Sequence, residues 1–167
     1  VILKIENLDR LDQKGAMTFR VKDRVLHFIY QHLADVPDFV IAISDAYEGP
    51  IKDRIGFNFP MSIVKQVDPK SSLLSYDADY FIGYQTRDLL TKRHELQHAK
   101  YHMDTTYQAD VKKMWESLDS RSQAQVTQRL LQMNYPNNPA ILVDEFQAYY
   151  FTEKPNFFGF TCGTRSK

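Results

Sequence analysis

Arg87-Asp88-Leu89-Leu90-Thr91-Lys92-Arg93-His94-Glu95-Leu96-Gln97-His98-Ala99-Lys100-Tyr101-His102-Met103 is the stretch that decides how this chain is read. It is rich in strong helix formers, and neither Gly nor Pro interrupts the sequence between Thr86 and Pro136. The spacing predicts a helix over 86–103 with Leu89, Leu96, Ala99 and Met103 on one face. Leu90, His94 and Tyr101 share another face, so the helix is expected to be buried on two sides.

Working downstream, Val126, Leu130 and Met133 predict a second helix over 122–133. Asn138-Pro139 reads as an N-cap followed by proline at the first helical position, which starts a third helix over 140–152. Upstream the pattern changes. Residues 1–5 and 16–21 read as short strands, and 39–43 as a buried strand bounded by Pro37-Asp38 and Glu48-Gly49-Pro50. Residues 55–59 stop at Pro60 and read as an edge strand or hairpin arm, and 80–82 as a further strand. Asp23 could cap a helix running to Ala34, with Val25, Leu26, Ile29 and Leu33 on one face. Strands gathered in the first half and helices in the second make the expected class α+β.

A length of 167 residues suits one domain spanning 1–167 with a core of its own. Phe157-Phe158-Gly159-Phe160 could pack within that core, or against a further domain if the native chain continues past Lys167. Lys plus Arg and Asp plus Glu both total 21, giving zero formal charge. Duplex binders carry a basic excess because phosphate neutralisation supplies most of their affinity, so nucleic acid is not an expected partner. Apolar runs are far shorter than the roughly 20 residues that span a bilayer, so no membrane role is expected either. Cys162 is the single cysteine, which excludes an intrachain disulfide and a CxxC site. The first residues lack the basic-then-apolar pattern of a signal peptide. The expected location is a cytosol, the producer's own or one reached without a classical signal, and the expected state is a monomer.

The chemistry lies in His94-Glu95-Leu96-Gln97-His98, an H-E-x-x-H sequence. Residues i and i+4 are neighbours on one helix face, so His94 and His98 can present their imidazoles to one zinc ion. Glu95 then projects beside the metal, where it can take a proton from a zinc-bound water whose pKa the ion lowers to near 7. A catalytic zinc keeps three protein ligands and an open position. His102 is not the expected third: the ends of three successive i, i+4 histidines lie about 12 Å apart on a straight helix. It is expected to face substrate or solvent.

Glu145, in Val143-Asp144-Glu145-Phe146-Gln147-Ala148-Tyr149-Tyr150, is the better third ligand. A carboxylate in so apolar a segment is costly to bury unless a cation pairs with it. A structural ion pair is the alternative reading of Glu145. Asp144, about 100° round the helix, is the fallback ligand.

On His94-Glu95-Leu96-Gln97-His98 followed by Glu145 on a later helix, the chain resembles the gluzincin-type zinc metallopeptidases. The resemblance implies a zincin-like fold, a zinc cofactor, Glu95 as base, and a protein substrate extended along an edge strand upstream of the active-site helix. Residues 55–59 or 80–82 could supply that edge. Many members have Asp four residues after the glutamate ligand, where this chain has Tyr149. Tyr149 thereby becomes a candidate for stabilising the oxyanion, with Tyr101 as a second, and the partner of a zinc histidine is left unassigned. In its H-E-x-x-H at this distance from a signal-less N-terminus, the chain is also similar to RavK-type bacterial effector proteases. That similarity implies delivery into a host cell and cleavage of host actin. Peptide deformylases share H-E-x-x-H but take a cysteine ligand from upstream, whereas Cys162 lies downstream. The alternative from another class is a non-catalytic scaffold stabilised by zinc. Structural zinc sites are usually closed by four ligands and rich in Cys, which disfavours it.

Overall fold

Lys22-Asp23-Arg24-Val25 turns the chain back on itself through two consecutive left-handed residues, Asp23 at φ 51° and Arg24 at φ 62°. Positive φ at both central positions is what a two-residue hairpin needs to match the twist of its strands. The turn joins β1 (Met17–Lys22) to β2 (Val25–Tyr30), paired antiparallel from Met17 opposite Tyr30 to Lys22 opposite Val25. The helix expected from Asp23 to Ala34 is therefore a strand. Val25, Leu26 and Ile29 fit a helical spacing, but Val-Leu-His-Phe-Ile-Tyr is equally a β-branched and aromatic run. Val25, Leu26, His27 and Phe28 are all buried, as a strand covered on both faces requires.

The computed structural model describes residues 17–160. The strand expected over 1–5, the first residue of the one over 16–21, and Cys162 lie outside the described residues. After β2 come a 3-10 turn at Leu33–Asp35, α1 (Asp38–Glu48), β3 (Phe57–Pro60), α2 (Met61–Val67), a second 3-10 turn at Ser72–Ser75, and β4 (Tyr80–Gln85). The helical half follows: α3 (Leu89–Met103), α4 (Thr105–Ser117), α5 (Ser120–Gln132) and α6 (Pro139–Thr152). The class is mixed α+β, with all four described strands ahead of α3. The strand expected over 39–43 is the first half of α1. Val40, Ile43, Ser44 and Glu48 are buried while Phe39 and Ile41 are more than a third exposed, which is the period of a helix.

The sheet order is β1-β2-β4-β3. β4 runs parallel to β2, with Val25 opposite Tyr80, and β3 pairs antiparallel with β4, with Phe57 opposite Gly83. β3 is thus an edge strand, and Pro60 closes it where no outer partner is required. Alternation along the strands assigns the two faces. Leu26, Phe28, Tyr30, Phe57, Phe59 and Phe81 pack with Val40 and Ile43 of α1 and Val64 of α2, Phe59 lying flat on Phe81 at 4.3 Å. Val25, Tyr80, Ile82 and Tyr84 turn the other way and pack on Ala99 of α3. Burying each such side chain is worth about 1.5–3 kcal/mol.

α3 is capped by Asp88, whose Oδ1 accepts from the Thr91 amide at 3.0 Å, and begins at Leu89, three residues inside the expected start. Leu89 and Leu90 in its first turn are half exposed or more, so of the expected apolar face only Leu96, Ala99 and Met103 pack on the sheet, and the fully buried residues are Glu95, His98, Ala99 and Tyr101. Asp104 ends α3 and caps α4, accepting from the Tyr107 amide at 3.0 Å. That single aspartate is why one uninterrupted polar stretch yields two helices. A further apolar cluster, built from Val126, Leu130, Leu142, Phe146, Tyr150 and Phe158, joins α5 to α6. No helix among the described residues is long and apolar enough to cross a membrane.

Candidate metal centre

α3 packs between the sheet and α6, so its polar face meets the polar face of α6 in the interior. His98 is 1% exposed and Glu145 2%. His94 Nε2 lies 3.2 Å from His98 Nε2 and 3.4 Å from Glu145 Oε2, and His98 Nε2 lies 3.5 Å from Glu145 Oε1. Ligand atoms about 2.0–2.1 Å from a tetrahedral ion stand about 3.3 Å from one another. The observed separations, with a different Glu145 oxygen facing each histidine, are of that size. Glu145 Oε2 is also buried without a hydrogen-bond partner, an orphaned acceptor beside the His94 imidazole. His94, His98 and Glu145 could hold a metal ion, and the donor set of two imidazole nitrogens and one carboxylate suits zinc.

The tautomer of His98 follows from its other nitrogen. Nδ1 donates to Asp144 Oδ1 at 2.8 Å, which leaves the Nε2 lone pair directed at the cluster. Asp144 is therefore the orienting partner of His98, not a substitute ligand, and it fills the role left open by Tyr149. It is held in turn by Gln147, whose Nε2 donates to Asp144 Oδ1 at 3.0 Å and whose Oε1 accepts from the Tyr107 hydroxyl at 2.8 Å. Without a cation, burial alone would lower the His98 pKa, but Asp144 and Glu145 outweigh it and hold it well above the usual imidazole range. Burial likewise acts to raise the Glu145 pKa, and His98 and His94 outweigh it and lower it. The pocket is built for positive charge. Asp144→Ala should weaken zinc binding roughly 10- to 100-fold without removing it, measured by competition with a chromophoric chelator.

Glu95 is held beside the cluster by β3. Gly56 and Asn58 share the α3-facing side of the edge strand. Asn58 Nδ2 donates to Glu95 Oε2 at 3.0 Å and to Glu48 Oε1 at 3.1 Å, while the Tyr80 hydroxyl donates to Asn58 Oδ1 at 2.7 Å. A Cβ at Gly56 would stand 1.9 Å from Glu95 Oε1, so the backbone there presses directly on the carboxylate. Burial raises the Glu95 pKa, opposed by the two histidines and Asn58. Burial, with Glu145 nearby, pushes the Glu48 carboxyl up to about 8.

A cavity of about 380 Å³ opens onto these groups, lined by His94, Glu95, His98, Glu145, Gly56, Asn58, Tyr135 and Tyr149, with Ile51, Ile55, Leu90, Met133 and Phe157 among its apolar walls. The Tyr149 ring lies 4.3 Å from that of His94, and its hydroxyl is 2.8 Å from that of Tyr135. Tyr101 and His102 do not line this cavity: both line a second one, which Glu48, Asp144 and Glu145 also border, where His102 is exposed and its ring lies 5.1 Å from Tyr80. The sequence reading missed Gly56, Asn58, Glu48 and Tyr135. Comparison of the chain with protein-family models, curated proteins and solved structures gives no match.

Proposed function

We propose that the chain is a zinc-dependent endopeptidase with a zincin-like arrangement of sheet, active-site helix and glutamate helix. The observation that carries this reading is the placement of Glu95. A buried carboxylate is clamped by Asn58 and Gly56 beside three convergent ligands and opens on the same cavity. A site kept only for stability has no use for that fourth group.

His94, His98 and Glu145 would hold the ion. Zinc bound there would supply Lewis acidity and bring the pKa of a water towards 7. Glu95 accepts a proton from the attacking water and returns it to the departing amine, a transfer that positioned carboxylates perform efficiently. The Tyr149 hydroxyl donates to the substrate carbonyl oxygen as that oxygen gains charge. β3 lies at the sheet edge, so an extended peptide laid along it would pass Asn58 and bring its scissile bond to Glu95.

The test is metal content together with cleavage of a random peptide library. About one zinc per chain is expected, with cleavage that stops on chelation and returns on adding zinc. Protein that neither carries nor takes up zinc, or cleavage indifferent to the chelator, would overturn the reading.

A further inference from the structure

Tyr135 reaches the cavity through a helix ending. At the C-terminus of α5 the Tyr135 amide donates to Leu130 O at 3.1 Å and the Asn134 amide to Leu131 O at 3.0 Å. Asn134 takes the left-handed conformation at φ 70°. This pair of bonds around a left-handed residue is the Schellman motif, and asparagine is the main alternative to glycine at that position. Its effect is to swing residue 135 off the helix axis and into the wall of the cavity, opposite Tyr149 on α6.

The two phenols then face an accounting constraint. Each hydroxyl has one proton, and their oxygens are 2.8 Å apart. Among the described residues neither hydroxyl makes any other hydrogen bond. One phenol must donate to the other, and the acceptor keeps its own proton with no acceptor for it among the described residues. The Tyr149 ring is packed between elements by His94, at 4.3 Å, and by Phe157, stacked at 5.0 Å with the planes 5° apart. Only the direction of its hydroxyl proton is free to be set, and Tyr135 is the group that can set it.

We propose that Tyr135 is a positioning residue: it donates to Tyr149, so that the Tyr149 proton is committed to the cavity and to an oxyanion placed there. The proposal rests on the peptidase reading for the identity of that oxyanion. Donation into Tyr149 also polarises its O–H bond and strengthens the bond it makes in turn, as in any hydrogen-bond chain.

The test compares zinc-loaded wild type, Tyr135→Phe, Tyr149→Phe and the double variant by two readouts. The first is kcat and KM on a cleaved peptide; the second is the dissociation constant for inorganic phosphate, a tetrahedral anion, by calorimetry. Each single variant should lose roughly 10- to 100-fold in kcat with KM little changed, and should bind phosphate more weakly. The double variant should lose no more than the worse single, since the two hydroxyls act as one unit. Zinc content and melting temperature should stay at wild-type values; a merely structural hydroxyl would lower the melting temperature and leave kcat alone. Tyr135→Phe matching wild type in phosphate affinity, losses that multiply in the double variant, or a wild type binding phosphate no better than the double variant would each overturn the proposal. Zinc-loaded wild type that cleaves no peptide would instead overturn the peptidase reading, while phosphate affinity still decides the role of Tyr135.

Discussion

Glu95→Gln should abolish peptide hydrolysis, with kcat falling at least about 100-fold, while the protein keeps its zinc and its melting temperature. Glutamine retains the shape of the side chain and an oxygen to accept from Asn58, so the packing between β3 and α3 has no reason to change. What it loses is the ability to accept a proton. Glu95 makes no bond to either histidine or to Glu145, so metal binding should be indifferent to the change. Gly56→Ala should give the same phenotype from the opposite side, because its new methyl would occupy the space of Glu95 Oε1 and displace the carboxylate. Substrate-library cleavage, metal analysis and thermal melting on the same preparations check both variants. Undiminished cleavage by Glu95→Gln would remove the proposed base.

The second large effect is on the metal. His98→Ala and Glu145→Ala should each abolish stoichiometric zinc after dialysis, a loss exceeding the roughly 100-fold that outer partners of a ligand typically control. Two donors cannot hold an ion against water as three do. The variants should differ in the metal-free state. His98→Ala strands the buried carboxylate of Glu145 and the partly buried one of Asp144 without their cationic partner, a change of the kind that costs about 3–5 kcal/mol. Glu145→Ala removes one of those carboxylates and should be milder. Mass spectrometry of metal content, with denaturant melts in chelator, separates the two. Retention of one zinc per chain in either variant would mean that the ion sits elsewhere.

The elements that carry the ligands were legible for local reasons. α6 starts with an asparagine cap and a proline, and α3 carries uninterrupted helix formers, so both helices were readable before any packing was considered. β2 and α1 were not. A five-residue apolar run has no period of its own, and Asp23-Arg24 lacks the glycine that usually marks a two-residue hairpin turn. The end of α3 at Met103 falls where expected, but α4 was not legible, because its start hangs on one capping aspartate in a sequence otherwise suited to a single long helix. That His94, His98 and Glu145 could share one place was likewise readable, from spacing and from the cost of burying an acid. Asn58 and Gly56 were opaque, because their relation to Glu95 exists only once an edge strand docks on a helix 37 residues later. Asp144 was in view but misplaced, since which side of a histidine an acid approaches is a matter of tertiary geometry. Tyr135 had a signal: asparagine after a helical period, followed by Pro136, predicts how the chain leaves a helix.

The three candidate ligands are not drawn from one packing unit. His94 and His98 belong to the helix that covers the sheet, whereas Glu145 belongs to the helix that shares its apolar cluster with α5. An ion bound by all three would rivet the two units together. Binding of the ion would then add to the free energy of docking, by about 2.7 kcal/mol when the free ion stands at 100 times its dissociation constant. A chain built this way takes the metal concentration of its surroundings as an instruction about its own integrity. If the proposed site holds zinc, then where zinc is scarce the seam between the sheet and the helical half is where unfolding and proteolysis should begin.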